Sequence, residues 1–124
     1  MYNILVVDDE EKIVNVLEEF LEKMGFEVIK AAGGVKGLEA LRSDAKIDLM
    51  IVDMKMPKVA GHDVLKERER VRKGLPVIIL TGSIDAGKFL ADLDKTEYGE
   101  GDILHKPVDL FALLELVKKK LQIA

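Results

Sequence analysis

Apolar, β-rich runs recur along this chain at intervals of roughly 25 residues, and this spacing constrains the fold more than any other feature. They occupy residues 4–7, 26–29, 49–52, 77–80 and, more briefly, 103–104. A strand with one wet face alternates polar and apolar side chains. These runs are nearly continuous, as expected of strands covered by helices on both faces of a parallel sheet. The intervening segments supply the helices. Ile13, Leu17, Phe20, Leu21 and Met24 form a helical stripe, and Gly25 stands where a left-handed cap belongs. Leu110, Leu113, Leu114, Val117 and Leu121 form another stripe, opened by Pro107 and a capping Asp109, with Lys118 to Lys120 in its last turns.

Weaker patterns predict a short helix over 35–42, interrupted by Gly37, and one over 62–73 with Val64, Leu65 and Val71 on one face and Arg68 breaking it. Phe89, Leu90 and Leu93 predict a brief helix before a long loop. Five strand–helix units with right-handed crossovers give an α/β fold, a doubly wound parallel sheet flanked by helices on both faces. No linker divides the chain, so one domain over 1–124 is expected.

Composition removes most competing chemistries. The absence of cysteine excludes disulfide scaffolds, thiol nucleophiles and zinc fingers, and two isolated histidines build no metal site. With 23 acidic and 19 basic residues the net charge is −4, which argues against direct nucleic-acid binding. No apolar stretch approaches the ~18 residues of a membrane span, so the expectation is a cytoplasmic protein without membrane association.

In doubly wound sheets ligands bind beyond the carboxyl ends of the strands. Those ends carry Asp8, Asp9 and Glu10 after the first run, Asp53 after the third, Thr81 after the fourth, and Lys106 followed by Pro107 after the fifth. Carboxylates ~4 Å apart repel by roughly 4 kcal/mol per pair at an effective dielectric near 20, so Asp8, Asp9 and Asp53 require a positive partner. Lys106 is one candidate. A hard divalent cation is the other, and an all-oxygen ligand set favours Mg2+, whose remaining coordination positions suit phosphoryl oxygens. Asp53 as nucleophile, with Lys106 and the Thr81 hydroxyl stabilising phosphoryl oxygens, forms a phosphoryl-transfer set. The competing reading makes Asp8 or Asp9 a plain N-cap of the first helix.

With Asp8-Asp9, Asp53 followed by Met56-Pro57 and Gly61, Thr81 after residues 77–80, and Lys106-Pro107 before the last helix, the whole chain resembles the receiver domains of two-component response regulators. The resemblance implies a flavodoxin-like sheet of order 2-1-3-4-5. It also implies a phosphohistidine donor, on a sensor histidine kinase or a histidine phosphotransfer protein, that phosphorylates Asp53. Self-catalysed transfer and later hydrolysis would need Mg2+, held by Asp8, Asp9, Asp53 and the backbone carbonyl of Lys55. The output would be an unidentified downstream protein or effector domain, with a phosphorylation-linked dimer as one state. The domain would be a switch rather than an enzyme acting on a separate substrate pool.

Two departures fall away from this chemistry. The family's switch pairs Thr81 with an aromatic residue three positions before the lysine, where this chain has Ile103. The interval from Thr81 to Lys106 is also about three residues longer than is common, with Gly82 in place of the usual alanine. Both lie on the family's output surface, which implies an unusual partner or a loop that orders on phosphorylation. Ile103 supports an alternative, a receiver-like binding module that works without phosphorylation. A haloacid-dehalogenase-type phosphatase would need an aspartate where Lys55 stands. His62, His105 and the Lys55 side chain read as surface or structural groups, and the methionines as core filler.

Overall fold

The computed structural model describes residues 1–82 and 98–124. In chain order it comprises β1 (Asn3–Asp8), α1 (Glu11–Lys23), β2 (Glu27–Ala32), α2 (Gly34–Arg42), β3 (Leu49–Asp53), α3 (Gly61–Val71), β4 (Val77–Thr81), β5 (Ile103–His105), preceded by a short 3-10 turn (Glu100–Asp102), and α4 (Leu110–Leu121). The expected helical stripe of Phe89, Leu90 and Leu93 lies outside the described residues. The five strands run parallel in the order β2-β1-β3-β4-β5, as expected.

The apolar runs divide by position in the sheet. Every residue of β3 and β4 is buried, as are all of β1 after Asn3. The edge strands β2 and β5 are only partly covered, so the expectation of two-faced burial fails for β2. That strand also begins one residue late and runs to Ala32, because Phe26 completes the end of α1 instead. The Gly25 N–H donates to the Glu22 carbonyl and the Phe26 N–H to that of Leu21, with Gly25 in left-handed backbone at φ +92°. This is the six-to-one, five-to-two closure of a Schellman cap, and Phe26 and Leu21 enter the same core.

Strand alternation sorts the core into two layers. Ile4, Val6, Leu49, Ile51, Ile78 and Leu80 pack against Val14, Leu17 and Leu21 of α1 and Leu113 and Val117 of α4. Leu5, Val7, Met50, Val52, Val77 and Ile79 face Leu41 of α2 and Val64 and Leu65 of α3. Gly37 lets α2 lie close to the sheet, since a Cβ there would stand 2.8 Å from Val7. Val71, expected on the buried face of α3, is exposed, whereas Arg68 is 6% exposed. Its Nε and Nη2 donate to the Leu75 carbonyl and its Nη1 to the Tyr98 hydroxyl, and the guanidinium stacks over the Tyr98 ring. The position that broke the helical stripe is therefore a buried charged anchor. Asp109 caps α4 as expected, accepting from the N–H groups of Phe111 and Ala112. The lysines of its last turns follow the helix-end reading, and Lys120 additionally pairs with Asp102.

Candidate functional site

The register of the three central strands brings the acidic ends level. Val7 pairs with Val52, so Asp8 and Asp53 are the next residues on adjacent strands, and alternation gives both the phase of the α1–α4 layer. Lys106, in phase with Leu104, enters the same crevice from β5. Its Nζ lies 3.0 Å from Asp8 Oδ2, 3.4 Å from Asp53 Oδ1 and 3.7 Å from Glu10 Oε1. Asp8 is fully buried and Asp53 nearly so, while Asp9 is exposed at the mouth. One oxygen from each of Asp8, Asp9 and Asp53 lies within 4.8 Å of the others, an all-carboxylate set that fits a hard divalent cation.

The N-cap alternative for the acidic pair is not what the structure shows. Glu10 is the N-cap residue of α1, and its side chain makes no cap hydrogen bond. Asp8 Oδ1 instead accepts the Glu10 N–H at 2.9 Å, which fixes the carboxylate at the strand end. The Asp53 Oδ1 accepts the Lys55 N–H at 3.5 Å. Lys55 itself is exposed and Met56 is buried.

Burial pushes the Asp8 carboxyl above the usual aspartate range, against the Glu10 N–H and Lys106. Burial also raises Asp53, reinforced by the Asp8 charge and opposed by Lys106. For Lys106 burial works against the ammonium, yet the hydrogen bond to Asp8 and the charges of Asp53 and Asp8 outweigh it and hold the lysine above its ordinary value. One ammonium thus serves two desolvated carboxylates and satisfies neither fully. A site in this condition gains from a further cation.

Thr81 is buried at the neighbouring strand end, in the phase of Ile79, and its carbonyl accepts the Lys106 N–H at 2.7 Å. Ile103 opens β5 opposite Ile79 and packs half-buried in the same layer as Tyr98. His105 is exposed and in phase with Ile103, away from Lys106, as expected. Beside the crevice an apolar groove of about 290 Å³ runs between α1 and the β5–α4 connection, lined by Ile13, Val16, Leu17, Val108 and Leu110 and reaching Lys106.

Sequence reasoning missed two contacts. The Glu10–Lys106 pair had only adjacency to the acidic pair as a signal. The approach of α3 to Asp53 had one sign, Gly61, where a Cβ would stand 2.4 Å from the Asp53 carbonyl oxygen. Among the described residues no helix is long and apolar enough to cross a membrane.

Residues 4–118 match the sequence pattern of the response regulator receiver domain. The chain is 33% identical over 117 residues to the response regulator SaeR of Staphylococcus aureus, covering 94% of this chain and 48% of that protein. The chain therefore spans about half the length of the curated relatives it matches. A receiver domain protein of Clostridium thermocellum superposes with a TM-score of 0.86 at 33% identity, over 98% of this chain and 95% of the other. A CheY-like receiver protein of Methanospirillum hungatei gives 0.84 at 31%, over 98% and 94%. The response regulator TrrA of Thermotoga maritima, solved in complex with Mg2+ and BeF, gives 0.79 at 33%, over 97% and 99%.

Proposed function

This chain belongs to the response regulator receiver domain family, and from that premise we propose that Asp53 accepts a phosphoryl group from a phosphohistidine and that residues 1–124 act as a receiver domain controlling an output partner. The observation that carries the reading is the sharing of Lys106 between Asp8 at 3.0 Å and Asp53 at 3.4 Å. A cation shared in this way supports the reading, because it can neutralise charge that develops on a transferred phosphoryl group.

An Asp53 carboxylate oxygen attacks phosphorus in line with the donor nitrogen. The P–O bond forms as the P–N bond breaks, and the electron pair leaves on the imidazole, which takes up a proton. Hydrolysis reverses the modification: water attacks phosphorus, the P–O bond to Asp53 breaks, and inorganic phosphate and the carboxylate are released. Lys106 keeps Asp8 and directs an N–H donor to a phosphoryl oxygen. The Thr81 hydroxyl donates to another oxygen and reads out the modification. Asp8, Asp9, Asp53 and the backbone carbonyl of Lys55 would hold Mg2+, which supplies charge neutralisation to the carboxylate and phosphoryl oxygens. The acidic cluster fits that ion, and the similar TrrA structure contains Mg2+ and BeF.

The donor is a sensor histidine kinase or a histidine phosphotransfer protein. The output partner is a protein or effector domain, and a phosphorylation-linked dimer is one form of readout. With Ile103 half-buried opposite Ile79, no aromatic ring reports from that position. The reading is tested by intact-protein mass spectrometry after incubation with Mg2+ and acetyl phosphate. One phosphoryl adduct, absent in Asp53→Ala, is expected. No adduct on the folded wild type would instead support a binding module that works without phosphorylation.

A further inference from the structure

Lys106 has a third carboxylate partner that the phosphoryl chemistry does not use. Glu10 heads α1, yet its side chain makes no cap bond. Its backbone is fixed on both sides: the N–H donates to Asp8 Oδ1, and the carbonyl accepts from Ile13 and Val14 at 3.0 and 3.2 Å. The side chain is left to reach across the mouth of the crevice, where Oε1 stands 3.7 Å from Lys106 Nζ. An ammonium has three N–H donors. Here three carboxylates, those of Asp8, Asp53 and Glu10, surround it.

Any oxygen arriving at Lys106 competes with one of these three. Asp8 is fully buried, so its loss of the ammonium would leave a desolvated carboxylate unpaired. Asp53 is the group being modified. The Glu10 side chain is 62% exposed, and water replaces the lysine there at little cost. We propose that Glu10 is a positioning residue that holds Lys106 toward the mouth and competes with the phosphoryl group for its ammonium, thereby setting how readily Asp53 is loaded. This rests on the phosphoacceptor reading of Asp53.

The probe is beryllofluoride with Mg2+, titrated calorimetrically into wild type, Glu10→Gln and Glu10→Asp, and into Lys106→Ala with and without Glu10→Gln. An exposed ion pair is worth little, so Glu10→Gln should tighten binding about 1.5- to 5-fold, with Glu10→Asp returning toward wild type. In the Lys106→Ala background the same substitution should have no effect. Equal affinity for wild type and Glu10→Gln overturns the proposal, as does an undiminished gain without Lys106, which would assign the effect to negative charge at the mouth. A metal-free readout separates this from the site reading. The Lys106 ε-methylene NMR resonance should move in Glu10→Gln, and an unmoved resonance also overturns the proposal. If the wild type binds no beryllofluoride, the phosphoacceptor reading falls, and the metal-free resonance still decides whether Glu10 holds Lys106.

Discussion

Gly61 lies against the backbone of Asp53 so closely that a Cβ at Gly61 would come within 2.4 Å of the Asp53 carbonyl oxygen and 2.7 Å of Met54 Cα. The first residue of α3 is thus seated on the end of β3, and the Gly61 N–H donates to the Met54 carbonyl at 3.2 Å. Both obstructing atoms are backbone, so no side chain can give way. Gly61→Ala should destabilise the fold by ~1–3 kcal/mol in urea titrations through overpacking. It should also slow phosphorylation by acetyl phosphate, because relief of the clash shifts the acceptor strand end.

The Arg68–Tyr98 contact makes a second, independent prediction. Arg68 supplies two donors to the Leu75 carbonyl and one to the Tyr98 hydroxyl, all buried. Tyr98→Phe keeps the ring beneath the guanidinium and removes the hydroxyl that accepts from Arg68, a bond worth ~0.5–1.5 kcal/mol. Arg68→Met should cost more, ~1–3 kcal/mol for the carbonyl left without its donors. Denaturant midpoints measure both, and equal effects from the two substitutions would contradict this ranking.

These contacts mark where the sequence stops being legible. The central strands, the first and last helices and the polar residues at the strand ends all follow from hydrophobic period and residue type. They are properties of contiguous residues. Ile4, Ile51 and Ile78 read as core because each sits in an apolar run, and Asp8, Asp53 and Lys106 as a site because each ends one. Arg68 reads as an interruption because its partners, Leu75 and Tyr98, are supplied by other elements. The half-exposed face of β2 is hidden for a similar reason, since edge position depends on strand order. Gly37 reads as a helix weakness until Val7 is seen beneath it.

The raised carboxyls of Asp8 and Asp53 give a pH dependence of definite sign. A carboxyl raised in the folded state binds more protons there than when unfolded, so stability falls as pH rises through the window above the ordinary value of 3.8. The cost is absent in acid and grows as the carboxyls ionise. In chelator, Asp53→Asn should therefore have a higher Tm than wild type at pH 7, and the difference should shrink toward pH 4. A lower Tm for the variant at pH 7 would show that the ion pair with Lys106 outweighs desolvation.

Glu67 has the opposite sign. Hydrogen bonds from Arg70 and Arg42 hold its carboxyl down at about 2, below the ordinary 4.5, and the two exposed arginines lie over it. Its contribution is present above pH 4.5 and is lost as pH falls toward 2. Thermal unfolding of Glu67→Gln should be less stable than wild type at pH 6, and the two should converge in acid. A constant difference across that range would remove the linkage.

Divalent-cation binding should appear first as stability. With one ammonium shared between two buried carboxylates, a cation held by Asp8, Asp9 and Asp53 relieves a cost already present in the folded state. The unfolded chain gathers no such cluster, so binding is linked to folding by mass action. At a concentration 100 times the dissociation constant this linkage is worth ~2.7 kcal/mol, which for a domain of this size is roughly 10 °C in Tm. Scans in Mg2+ and in chelator should differ by an amount that grows with the logarithm of Mg2+ concentration. Asp9→Asn is the informative variant, because Asp9 is exposed and among the described residues does not pair with Lys106, so its loss leaves the fold in place. In chelator it should melt close to wild type, and in Mg2+ most of the gain should vanish. If Asp9→Asn retains the full Mg2+ shift, the cation is bound elsewhere, and Lys106 is the counter-charge on which Asp8 and Asp53 rely.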